Sequence, residues 1–133
     1  MAPAMADSLS ARLAAVEERI ASACRRAGRL RSDVRLIGVT KGVEAAVVRD
    51  AATAGLCCFG ENYVQEWAAK RDALADVTMI EWHFIGRIQR NKAAAVSEAH
   101  LVHSLADLQV AAVLAAVGVR RGDPVRVLVQ VNL

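Results

Sequence analysis

Five strand-like segments begin near Val34, Leu56, Ile80, Leu101 and Val125, at intervals of 22, 24, 21 and 24 residues. That period fits one strand, one helix and their two turns. Helix-like stretches fill the gaps at 44–54, 62–75, 87–97 and 105–117. Strands that alternate with helices in this way pair in parallel, with the helices packed outside the sheet. The first strand, Val34–Thr40, is apolar almost throughout once Arg35 is passed, as suits a strand buried on both faces. A further helix precedes it. Leu9, Leu13, Val16, Ile20 and Cys24 recur at three- and four-residue spacing, with Ser8 positioned to cap the helix and Gly28 to stop it.

This pattern predicts an α/β fold in a single domain over 1–133. The last strand, Val125–Val131, is the fifth, whereas a closed eight-stranded barrel needs three more units and about 250 residues. The expected architecture is an open five-stranded sheet, or a parallel (β/α) barrel of TIM type truncated after its fifth strand.

Composition narrows the function classes. The chain is 55% hydrophobic, but the apolar residues are mostly alanine and valine dispersed through charged helices. No apolar stretch approaches the ~18 residues of a membrane span. Met1–Asp7 lacks the basic and apolar regions of a secretory signal, so the expected compartment is the cytoplasm. The net charge of +3 comes from dispersed arginines with few aromatics between them, a poor pattern for nucleic-acid binding. Cys24, Cys57 and Cys58 are odd in number and lack CxxC spacing, which argues against a disulfide framework or structural zinc; Cys57 and Cys58 read as small buried hydrophobes in a strand.

No phosphate-cradling glycine loop and no HExxH-type metal spacing occurs, and strand alternation would send His100 and His103 to different faces. What remains is a set of polar residues at the ends of strands: Lys41, Asn62, His83, Ser104 and Asn132. In repeating strand–helix folds that end of the sheet carries the chemistry. Lys41 stands out among only three lysines, and an amine held at a strand end can act as a nucleophile toward an aldehyde. Each of the others also has a plain structural reading. Asn62 and Ser104 suit helix N-caps, with Ser104-Leu105-Ala106-Asp107 as a capping box; His83 suits a core histidine and Asn132 a turn.

Longer strings sharpen the reading. Gly38-Val39-Thr40-Lys41, Phe59-Gly60-Glu61-Asn62-Tyr63-Val64-Gln65-Glu66, Trp82 through Lys92, His103-Ser104 and Val129-Gln130-Val131-Asn132 follow one another in a fixed order and spacing. Together they resemble the pyridoxal 5′-phosphate (PLP) homeostasis protein family, single-domain relatives of the alanine racemase N-terminal barrel. The resemblance covers Arg12 to Asn132. It implies that Lys41 is the lysine forming a Schiff base with PLP, that Asn62 lies beside the cofactor, and that His83, Ser104 and Asn132 fall at the corresponding strand ends. It also implies intracellular PLP buffering or delivery to PLP-dependent apo-enzymes without turnover, by a full-length form that is a monomer.

Three features depart from the family pattern: Gly42-Val43-Glu44 after the lysine where a proline is usual, Cys57-Cys58 in place of a polar pair, and the missing last strands that supply the phosphate cradle. Two other readings stay open. An amino-acid racemase of the related fold needs an acid/base opposite the lysine, for which the chain offers only Tyr63. An inactive fragment would act only through pairing at its exposed fifth strand.

Overall fold

In the computed structural model, which describes residues 3–133, the chain runs α1 (Pro3–Ala27), β1 (Gly38–Val39), α2 (Ala45–Thr53), β2 (Cys58–Glu61), α3 (Val64–Ala73), β3 (Glu81–Phe84), α4 (Ala93–Val96), β4 (Leu101–Leu105), α5 (Leu108–Arg121) and β5 (Val127–Val129). The strands form one parallel sheet in the order β1-β2-β3-β4-β5. A doubly wound sheet would reverse direction at a switch point. Sequential order without reversal is instead the winding of a barrel wall. Among the described residues β1 and β5 do not pair with each other, so the wall is open.

Alternation along the strands sorts side chains between the helical layer and the concave face. Phe59 from β2 packs with Val48, Ala51 and Ala52 of α2 and with Leu74. Trp82 and Phe84 of β3 and Val102 of β4 meet Trp67 of α3 and Val96 of α4. Each fully buried phenylalanine here contributes about 2–3 kcal/mol of apolar transfer. The concave face is covered less, and Val39 remains 53% exposed on it.

Several local details differ from the sequence expectation. The first strand is two residues long instead of seven, because its neighbour β2 begins only at Cys58, and the Gly38–Phe59 register leaves residues 34–36 with no strand residue opposite them. Helix α1 passes straight through Ser8, which therefore does not cap it; Gly28 does end it, with φ +66. The helix expected over 87–97 shortens to a 3₁₀ turn at Arg90–Lys92 followed by α4, because Gln89 is extended and Ile88 turns into the core. Ser104 lies in β4, and the cap of α5 is Asp107, whose carboxylate accepts from the amides of Gln109 and Val110. Asn62 does not cap α3 either. Tyr63 occupies that position without a side-chain bond.

Candidate functional site at the carboxyl ends of the strands

Strand register lines up the expected residues along one rim. Val39 is level with Gly60, and the Thr40 amide donates to the Gly60 carbonyl, so continuing the register sets Lys41 beside Asn62. The pairing of β2 with β3 brings Ile85 and Gly86 next, and Ser104 follows, its hydroxyl donating to the Gly86 carbonyl at 2.5 Å. Gln130 joins through its amide to the Leu105 carbonyl, and Asn132 lies two residues beyond. Asn62, Gly86, Arg87, Ser104, Gln130 and Asn132 line a cleft of about 550 Å³ at this rim. The cleft depends on Gly86: a Cβ there would lie 2.6 Å from Asn62 Cα and overlap the Asn62 carbonyl. Among the described residues, Asn62 Oδ1 is buried without a hydrogen-bond partner, an acceptor that a ligand could satisfy.

Lys41 stands just outside that cleft, exposed on the turn that follows β1. The turn is held by a buried charge cluster that the sequence reading missed. Thr40 points to the helical side, where its hydroxyl donates to Glu61 Oε1. Lys70 of α3 reaches the same place. Its Nζ donates to the Thr40 carbonyl, to Glu61 Oε1 at 2.6 Å and to Glu66 Oε1 at 2.8 Å. Glu66 Oε1 in turn accepts from the Gly42 amide at 2.5 Å. The residues on both sides of Lys41 are thus tied to one helix, and Gly42 meets the bend with φ +70, a conformation that favours glycine.

The charges of the cluster support one another. Burial pulls the Lys70 pKa down, but hydrogen bonds to Glu61 and Glu66 outweigh it and hold the ammonium above its ordinary value. The hydrogen bond from Lys70, then that from the Gly42 amide, keeps the Glu66 carboxyl below its ordinary range. Lys70 is therefore a structural ammonium. The sequence did contain a signal for it: Glu66 and Lys70 stand four apart, ion-pair spacing on a helix.

His83 is not part of the rim cleft. It lies inside β3 at 1% exposure, with Nδ1 2.8 Å from His103 Nε2. Burial, followed by repulsion from His103 and His100, lowers its pKa to about 4. His100 and His103 do not diverge as expected. His100 precedes the first residue of β4, so strand alternation does not govern it, and both rings pack on His83 with centroids 5.5 and 5.1 Å away. Cys58 is buried as expected and Cys57 half-buried; both are free thiols. Asn132 is exposed, with Oδ1 accepting from Gln130 Nε2 at 3.4 Å. Among the described residues no helix is long and apolar enough to cross a membrane.

With this geometry in hand, the comparisons with known proteins are specific. A family model described as "Alanine racemase, N-terminal domain" matches residues 11–133. The chain is 46% identical over 95 residues to a pyridoxal phosphate homeostasis protein of Aquifex aeolicus, covering 71% of this chain and 41% of that one. Its identity to the Pseudomonas aeruginosa protein of the same name is 41%, covering 95% and 55%. The solved structure of PipY from Synechococcus elongatus, with PLP bound, superposes with a TM-score of 0.74 at 36% identity, over 89% of this chain and 55% of that one. The chain thus spans about half the length of the curated relatives it matches.

Proposed function

The chain belongs to the family of alanine racemase N-terminal domains, and from that membership we propose that it binds PLP at the strand-end rim and serves in PLP homeostasis without catalytic turnover. The observation that carries this reading is the fixed turn at Lys41: an exposed amine, with both neighbouring residues clamped to α3, beside the unpartnered acceptor of Asn62. PLP supplies an aldehyde, and a Schiff-base linkage at Lys41 is the attachment proposed. The Asn62 amide, Arg87 and Asn132 are the polar groups of the rim that would meet the bound cofactor; Ser104 supports them through Gly86.

Homologues named for PLP homeostasis and a neighbour solved with PLP support the cofactor and the role. On this reading the cofactor is buffered in the cytoplasm or passed to PLP-dependent apo-enzymes, and the full-length protein is a monomer. Tyr63, the chain's only tyrosine and the one acid/base that a racemase reading would have to use, is 64% exposed at the N-cap of α3. Incubation with PLP, borohydride reduction and peptide mass spectrometry test the proposal. Pyridoxylation concentrated on Lys41, and lost in Lys41→Ala, is expected; equal modification of Lys92 would overturn it.

A further inference from the structure

The opposite end of the sheet carries a second cluster that the PLP reading leaves unused. Cys58 and Glu81 begin β2 and β3 and are register partners, and His83 follows Glu81 on the same face. One donor atom from each of the three lies within 4.8 Å of the others, with Cys58 Sγ 3.7 Å from Glu81 Oε2. We propose that these residues bind a divalent transition-metal ion of the zinc class on the floor of the half-barrel.

Three observations carry this. First, among the described residues His83 Nε2 is buried and has no hydrogen-bond partner. Its other nitrogen, Nδ1, is held 2.8 Å from His103 Nε2. A histidine oriented through one nitrogen with the other left free is how imidazole is presented to a metal. Second, thiolate, imidazole and carboxylate together select zinc-like ions over magnesium or calcium. A tetrahedral ion separates its donors by roughly 3.3–3.8 Å, so the longest pair here has to close by about 1 Å. Third, a cation already sits at the edge of the cluster, on the Glu81 and His100 side. Arg35 Nη1 lies 3.2 Å from Glu81 Oε2 and 3.1 Å from His100 Nε2. Its side chain is half exposed, at 52%, and can swing into solvent. His100 Nε2, 3.3 Å from Glu81 Oε2, then becomes the fourth donor. No metal spacing is visible in the sequence because the donors come from three successive βα units.

The test is to strip the full chain with chelator and titrate it with Co²⁺, then with Zn²⁺. One equivalent of Co²⁺ with a thiolate-to-cobalt charge-transfer band, displaced by Zn²⁺, is expected. Cys58→Ser should abolish the band and His83→Gln should weaken binding by roughly 100-fold. Cys57→Ser should change neither. Arg35→Gln should tighten binding, by about tenfold if freeing the site is worth about 1.4 kcal/mol. No saturable binding, a band that survives Cys58→Ser, or loss of binding in Arg35→Gln overturns the site. Should Cys58→Ser fail to fold, X-ray absorption on the unmodified cobalt-loaded chain decides. One sulfur scatterer with nitrogen and oxygen supports the site, and a shell without sulfur overturns it.

Discussion

Lys70 Nζ donates to the carbonyl oxygen of Thr40, so an ammonium from α3 grips the chain one residue before Lys41. Glu66 completes the grip one residue after it, through the Gly42 amide. The two lysines therefore have separate roles: Lys70 is buried and bonded to three oxygens, while Lys41 is left to solvent.

Removing the ammonium should be costly. Lys70→Met leaves Glu61, fully buried, without its counter-ion, and is expected to destabilise the chain by about 3–5 kcal/mol in urea denaturation. Lys70→Met combined with Glu61→Gln should recover part of that loss. A double variant no more stable than the single one would show that the Lys70–Glu61 pair does not couple.

Acid should loosen the same turn. Glu66 is held below its ordinary value of 4.5, so the folded state binds fewer protons there than the unfolded state. Its contribution is complete above pH 4.5 and disappears as the pH falls through the lower folded value. Denaturation curves of the native chain should therefore lose stability below pH 4.5 more steeply than those of Glu66→Gln. Parallel pH profiles for the two would contradict the assignment.

Gly86→Ala should disturb the rim without touching Lys41. The added Cβ meets the backbone of Asn62, which cannot rotate away, so a loss of about 1–3 kcal/mol is expected from overpacking. Amide chemical shifts of Asn62 and Ser104 should move together in this variant. Unchanged shifts would mean that the strands do not approach as closely as described.

Asp107 caps α5 and also accepts from the Arg90 guanidinium at 3.1 Å. Asp107→Ala should cost about 1 kcal/mol from the lost cap, read as a shift in thermal midpoint. Arg90→Ala should cost much less, since that pair is exposed.

The period of about 22 residues made the parallel sheet legible, because each strand is a short apolar run bounded by a change to helical spacing. Lys41 was legible as a strand-end amine for the same reason. Local signals alone misplaced Ser8, Asn62 and Ser104 as caps: each is a good capping residue, but the helices begin elsewhere, and in α5 Asp107 makes the bonds instead. The Lys70 cluster and the histidine cluster were not legible. Both bring together residues from different βα units, and their contacts follow from strand register and helix docking.

Because each strand pairs with the one before it, contacts form in the order in which the chain is made. The bonds that grip Lys41 all lie within residues 40–70, but the helix that supplies them docks through Trp67 on Phe84, Val96 and Val102. While a ribosome is still adding those later residues, the amine therefore has its local partners but not yet the packing that fixes them in place.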